Sequence, residues 1–264
     1  VAMEKQSSRH PPLQSWLFDS LGFRYPWLLG HYRAGLVHRL DVQTSGPILV
    51  GSCTGSFTHL RNSLHRHELY KEYLALMHGA IPLKHCSGEL LYPLKTEREN
   101  KGKGWHTVVH PSGEDAKTMY EAVAGFINVK GRRKQRYTLV RLQLITGKTH
   151  QIRVHLKELA SDLGLKVHGI VGDYKYLKAA EVRTDEKLTK RVFLHCWRLH
   201  FPAPGDKARK CKVQCPLPDE LQSSLRKLQL DESLTAYYRK RGQKTNVIPE
   251  ALDDWRTTCP SLSY

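Results

Sequence analysis

Gly35-Leu36-Val37-His38-Arg39-Leu40-Asp41-Val42-Gln43-Thr44-Ser45-Gly46 is the stretch on which the reading of this chain turns. It opens apolar, at Leu36-Val37-His38, as a strand does. It then sets an imidazole, a guanidinium and a carboxylate close together at His38, Arg39 and Asp41. Small turn residues at Thr44-Ser45-Gly46 lead into a second apolar run, Pro47-Ile48-Leu49-Val50-Gly51. Strand, polar loop, strand is a common way for a sheet to hold reactive side chains rigidly. On spacing alone two readings of Asp41 stand open: it caps the turn or pairs with Arg39, or it is a reactive carboxylate.

Working outward, Leu13, Trp16, Leu17 and Leu21 recur at helical spacing after Pro11-Pro12 and predict a short amphipathic helix. Downstream, Phe57, Leu60 and Leu64 mark a second helix, and the segment from Tyr70 to Met77 resumes an extended apolar run. Residues 95–115 turn polar and carry Gly102, Gly104, Pro111 and Gly113, which predicts a long loop or hairpin. Leu142 and Leu144 then alternate with Arg141 and Gln143, the pattern of a half-buried strand. The turn Thr146-Gly147-Lys148 ends it. A helix from about His150 places Ile152, Leu156 and Leu159 on one side, with Arg153 facing elsewhere. Asp219 with Gln222 suggests a further helix entry, given an apolar face by Leu221, Leu225 and Leu228. After Leu230 the core signal fades into a tail that mixes Tyr237-Tyr238 with Arg239-Lys240-Arg241.

The chain has 264 residues, 40% of them hydrophobic and 25% charged, enough for one substantial core plus an appendage. Its 42 Lys+Arg outnumber 25 Asp+Glu and leave a net charge of +17, which suits a polyanionic partner. Two runs hold no acid: Lys130-Gly131-Arg132-Arg133-Lys134-Gln135-Arg136 and Lys207-Ala208-Arg209-Lys210-Cys211-Lys212. Each reads equally as a solvated hairpin tip or as a phosphate contact. No apolar run reaches the roughly 20 residues of a membrane helix, so no membrane association is expected.

Six cysteines, at 53, 86, 196, 211, 215 and 259, contain no CxxC pair and are too scattered for a disulfide framework. A reducing compartment is expected. Cys211 and Cys215 lack further ligands at zinc-site spacing and are read as core thiols, so no metal is expected. The first residue is Val1 rather than Met, which leads us to expect a segment upstream; no signal peptide is visible.

The opening stretch closely resembles the HRLDxxTSG motif of the RluA-like RNA pseudouridine synthases, with Asp41 at the position of the family's nucleophile. Lys71-Glu72-Tyr73 resembles the second motif, whose tyrosine packs on the flipped target base. Thr146-Gly147-Lys148-Thr149-His150-Gln151-Ile152-Arg153-Val154-His155 resembles the third, whose arginine pairs with the catalytic aspartate. Further similarities are Ala116-Lys117-Thr118-Met119-Tyr120-Glu121 to an AxTxYE segment, His168-Gly169-Ile170-Val171-Gly172-Asp173 to a GHPIxGD stretch, and Phe193 to Leu199 to an LLHAxxL strand. The similarity spans roughly residues 35–221. It departs at Lys148, where arginine is usual, and at Gly169, where proline is usual. At the N-terminus, Val1-Ala2-Met3-Glu4-Lys5 stands as a divergent remnant of an NKPxG segment, with Lys5 in the lysine position. No S4-like domain is seen.

The resemblance implies a pseudouridine synthase fold: an α/β (α+β) architecture with a mixed, mainly antiparallel central sheet, flanking helices and a central cleft. Residues 1–230 would form the catalytic domain, with an abbreviated N-terminus, and 231–264 a basic and aromatic C-terminal extension. The implied reaction isomerises uridine in RNA, by breaking the C1′–N1 bond, turning the base and rejoining it through C5, with no redox change and no cofactor. Asp41, Arg153 and Tyr73 would be its catalytic set. A carboxylate in a closed site tends to protonate, because burial disfavours charge. A paired arginine opposes that and holds the carboxylate by a planar fork. A flipped base needs an aromatic face to replace its lost stacking. Substrate contacts are expected at His38, Arg39, Thr44, Lys71, Lys148, His150 and Gln151, and at the basic run Arg132, Arg133 and Lys134. For His38 a satisfied structural role stands equally open. RNA is the expected partner, ribosomal RNA by preference and within an assembly intermediate as one form of it. An organelle matrix such as the mitochondrial is the expected location, with cytoplasm or nucleus as alternatives. The rival function is a synthase-derived RNA-binding assembly factor with little or no turnover.

Overall fold

The computed structural model describes residues 12–30, 33–99, 104–130 and 133–241. Backbone contacts divide the chain into two units, Val1–Lys71 with Arg198–Cys215, and Glu72–Trp197 with Pro216–Tyr264. In chain order the elements begin with helices α1 (Leu13–Leu21), α2 (Trp27–Gly30) and α3 (Thr54–His65). There follow strand β1 (Tyr70–His78), a 3-10 turn at Leu83–His85, and strands β2 (Ser87–Leu90), β3 (Leu94–Arg98), β4 (Trp105–Val109), β5 (Thr118–Lys130) and β6 (Arg133–Leu144). Helices α4 (Gln151–Asp162) and α5 (Ala179–Asp185) precede β7 (Leu194–Ala203) and β8 (Asp206–Gln214). The order ends with α6 (Asp219–Arg226), β9 (Gln229–Asp231) and α7 (Glu232–Arg241).

In the first unit, α1 buries Leu17 with Ala34 and Leu36, and Leu13, Phe18, Leu21, Ile48 and Val50 pack around them. That accounts for the 13, 17, 21 spacing, whereas Trp16 is exposed. The two strands expected on either side of Asp41 are shorter than the sequence suggests. Leu36 bridges Val50, the Val37 N–H donates to the Leu49 carbonyl at 3.0 Å, and Gly51 N–H donates to Gly35 at 2.9 Å. Gly35 has φ +70, and a Cβ there would run into the Gly51 carbonyl oxygen. The ladder therefore closes tightly on glycine and opens at once into the polar loop. The β7 residues from Arg198 onward pair antiparallel with β8, Phe201 opposite Cys211.

In the second unit the strand order is β2-β5-β6-β1-β7, with β9 also on β5. β5 and β6 form a long antiparallel hairpin from Thr118 opposite Leu144 to Lys130 opposite Arg133, with a register shift between Ala122 and Ala124. The first basic run thus starts at the end of β5 and continues into β6. Phe126, Tyr137, Leu139 and Leu142 are buried along it, and Met77 and Phe193 join that buried set. β3 and β4 make a separate two-stranded hairpin inside the polar segment. β9 pairs antiparallel with Gly125–Ile127 of β5. α7 follows it, and its Thr235 Oγ1 accepts from the Gly125 N–H at 3.0 Å. Tyr238, in the stretch where the apolar pattern fades, is buried and donates to the Ile81 carbonyl at 2.6 Å. The architecture is the mixed α/β type expected, with an antiparallel sheet and helices. The described cysteines are all free thiols. No described helix is long and apolar enough to cross a membrane.

Candidate active site

Asp41 belongs to the first unit, and Tyr73 and Arg153 to the second. The loop that carries Asp41 is fixed from inside. Thr44 N–H donates to the Asp41 carbonyl at 2.9 Å, closing a turn over Val42 and Gln43. His38 is buried, and its Nε2 accepts the Leu49 N–H at 3.1 Å. An imidazole nitrogen that accepts carries no proton, so the ring is neutral and protonated at Nδ1. Burial, assisted by the Lys71 ammonium, pushes its pKa down to about 4. His38 ties the outgoing strand end to the returning one. Arg61 of α3 adds a second tie, donating from Nη1 to the Val37 carbonyl at 2.9 Å. Arg39 is exposed, and Thr44 is buried with its hydroxyl lacking a hydrogen-bond partner among the described residues.

Tyr73 lies on β1 and is 6% exposed. Glu72, beside it, is buried and lies 3.9 Å from the Arg141 guanidinium, which also pairs with Glu121. Lys71 stands at the start of the same strand and is half-buried.

The third motif forms the turn and first residues of α4. His150 is the N-cap, with φ 54, a left-handed conformation unusual for a histidine. Its Nδ1 lies 2.8 Å from the Tyr176 hydroxyl. Gln151, 2% exposed, holds the turn with its whole amide. Its Oε1 accepts from Thr146 Oγ1 at 2.8 Å and from Lys148 N–H at 2.9 Å, and its Nε2 donates to the Lys117 carbonyl at 3.0 Å and to Thr118 Oγ1 at 2.9 Å. Its hydrogen-bonding capacity is used in shaping the loop. Lys148 pairs with Glu114. Arg153 is buried on α4, where the helical pattern pointed it away from the Ile152 face. Its Nε and Nη2 form a two-point fork on Asp173, at 2.9 and 2.6 Å, and its Cζ lies 5.0 Å from the Tyr176 ring centroid. Burial pushes the Tyr176 hydroxyl up to about 12.

Asp173 and Tyr176 carry no role in the sequence reading, although the GHPIxGD-like stretch marks their loop. Lys134, in the basic run on β6, is exposed; Arg132 and the Arg133 side chain lie outside the described residues. In the second run Arg209, Lys210 and Lys212 are exposed on β8. Among the described residues no group of His, Cys, Asp and Glu is placed to hold a metal ion.

A sequence profile of the RNA pseudouridylate synthase family matches residues 23–158, a segment that includes Asp41, Tyr73 and Arg153. The chain belongs to that family. It is 32% identical over 235 residues to the ribosomal large subunit pseudouridine synthase D of Xanthomonas campestris, and 35% identical over 226 residues to the protein of that name from Escherichia coli. These alignments cover 85% and 81% of this chain but 64% and 62% of the two relatives, so the chain spans about six-tenths of their length. Among solved structures, human RNA pseudouridylate synthase domain containing 1 superposes with a TM-score of 0.59 at 22% identity, covering 83% of each chain. Human RNA pseudouridylate synthase domain containing 4 gives 0.55, also at 22% identity, covering 81% of this chain and 84% of that one. At that identity the likeness is one of fold.

Proposed function

We propose that this protein isomerises uridine to pseudouridine in RNA, with Asp41 as nucleophile, Arg153 as its ionic partner and Tyr73 as the platform for the displaced base. The observation that carries the reading is that one continuous family match, residues 23–158, contains all three motifs in order. As the base leaves, positive charge develops at C1′, and a single ionised carboxylate can stabilise it or attack it. The base then needs to turn within the site and rejoin through C5, its C5 proton passing to solvent or a neighbouring base while N1 is protonated. Ribosomal RNA is the proposed substrate class, supported by the relatives' names and by the net charge of +17. The proposed location is an organelle matrix, for which that basicity is the support; imaging of the tagged full-length protein decides it.

The test is product analysis. Purified protein is incubated with ribosomal RNA transcripts, which are digested to nucleosides and separated by mass-resolved chromatography. Pseudouridine is expected with the parent protein and none with Asp41→Asn, which keeps the side-chain shape and removes the charge. RNA affinity of the variant should stay within a few fold. Turnover retained by Asp41→Asn would refute the assignment, and tight binding without product in the parent would favour an RNA-binding assembly factor.

A further inference from the structure

Arg153 is held at one edge and sits over an aromatic ring. The Asp173 carboxylate meets that edge of the guanidinium through Nε and Nη2, and Cζ stands over the Tyr176 ring, 5.0 Å from its centroid. Tyr176 is itself fixed by the Thr107 N–H, which donates to its hydroxyl at 3.1 Å, and by His150. A two-point fork leaves a planar group little freedom to turn.

Asp173 is placed by contacts that do not involve Arg153. Gly172 takes φ +74, and a Cβ there would run into the Arg191 carbonyl oxygen. The Gly172 N–H donates to Asp185 Oδ2 at 2.7 Å, and the same buried carboxylate oxygen holds His78 Nε2 at 2.9 Å. Val171 N–H donates to the Leu76 carbonyl at 2.8 Å, and Phe193 N–H to the Val171 carbonyl at 2.8 Å. The receptor for the arginine is thus fastened to β1 and to the segment entering β7.

A buried ion pair is a poor source of stability, because desolvating two charges offsets most of their attraction. It is a good source of orientation. A guanidinium carries five N–H groups, and the fork uses one on Nε and one on Nη2. The opposite edge, Nη1 with the second hydrogen of Nη2, offers the same fork to another carboxylate. Since Arg153 and Asp173 together are close to neutral, that edge acts through directed N–H groups rather than through net charge.

We infer that Asp173 is the positioning residue of the reaction: it sets which edge Arg153 turns toward the reacting carboxylate. The inference rests on the reading of Arg153 as partner of Asp41.

The test uses the full chain labelled with 15N-arginine. The Nε–H resonance of Arg153, assigned as the one that disappears in Arg153→Lys, should exchange slowly in the parent. In Asp173→Asn it should move to the exposed-arginine region and exchange at least tenfold faster. That variant's kcat should fall about 10–100-fold, by analogy with the loss of a group that orients a metal ligand, with KM for RNA within twofold and a native near-UV circular dichroism spectrum. A fast-exchanging Arg153 in the parent overturns the inference whether or not any variant folds. So does Asp173→Asn that frees the arginine yet keeps the parent kcat, which leaves the catalytic reading standing. A parent that makes no pseudouridine, while its Arg153 resonance still depends on Asp173, removes the reading of the site and leaves Asp173 a purely structural partner.

Discussion

Replacing Gln151 with Leu keeps volume and helical propensity but deletes an amide that makes four hydrogen bonds. The two outer partners, Thr146 and the Lys148 N–H, are half-buried and can turn to water, so each loss costs about 0.5 kcal/mol. The Lys117 carbonyl is half-buried as well and still accepts the Ile145 and Thr146 N–H groups, so its loss costs about 0.5 kcal/mol too. Thr118 is fully buried, and leaving that polar group unmatched costs about 1–3 kcal/mol. The total is about 2.5–4.5 kcal/mol, a large part of the roughly 5–15 kcal/mol that holds a domain folded. Urea unfolding of parent and Gln151→Leu, followed by circular dichroism, should show the midpoint fall with little change in slope. RNA affinity per folded molecule should be unchanged, because the amide is spent inside the turn. A loss below about 1 kcal/mol would show that water replaces the amide, and a selective loss of RNA affinity would show that Gln151 contacts substrate.

Removing the Tyr73 ring in Tyr73→Ala should lower kcat/KM about 5–150-fold, the worth of one base stack at 1–3 kcal/mol; unchanged kinetics would take Tyr73 out of the site. The imidazoles of His38 and His155 are both pushed down to about 4 by burial, so both are neutral when folded, whereas in the unfolded chain they take up protons near pH 6.5. Their contribution is therefore full above about pH 6.5 and is lost as pH falls toward 4; unfolding free energies at pH 7.5, 6 and 5 should decline more steeply for the parent than for His38→Asn. Reversing charge at Arg132, Arg133 and Lys134 should flatten the slope of log affinity against log salt by about 0.7–0.9 for each phosphate that the run neutralises, weakening all RNAs alike. An unaltered slope in filter-binding titrations would make that hairpin end a solvated tip.

What could be read in advance follows from how far each residue's partner lies along the chain. The Asp41 loop, the β6 alternation at Leu142 and the α4 face at Ile152 are set by neighbours a few positions away, and periodicity exposes them. The left-handed cap at His150 leaves no such mark, because its side chain meets Tyr176, 26 positions on. Asp173 meets Arg153 across 20 residues, and a motif can flag the aspartate without saying what it holds. Tyr238 is hidden among arginines and lysines: of the described α7 side chains Thr235 and Tyr238 are fully buried, with Leu234 against Gly125, a short apolar patch that does not register as a stripe. The proposed catalytic set came from the motifs.

The pairing of β5 also bears on how the chain is born. One margin of this strand is shared end to end, with β2 on Thr118–Glu121 and β9 on Gly125–Ile127. Synthesis delivers β2, β5 and β6 first, and β9 and α7 only some hundred residues after β5. At about 5–20 residues per second, the interval between residues 125 and 241 is on the order of 6–23 seconds. For that time the Gly125–Ile127 backbone offers unpaired N–H and C=O groups beside Phe126, a template that another nascent chain can fill. Translation speed between residues 125 and 241 therefore sets how long each new molecule stays adhesive, and a chaperone that shields this half-strand would act in that window.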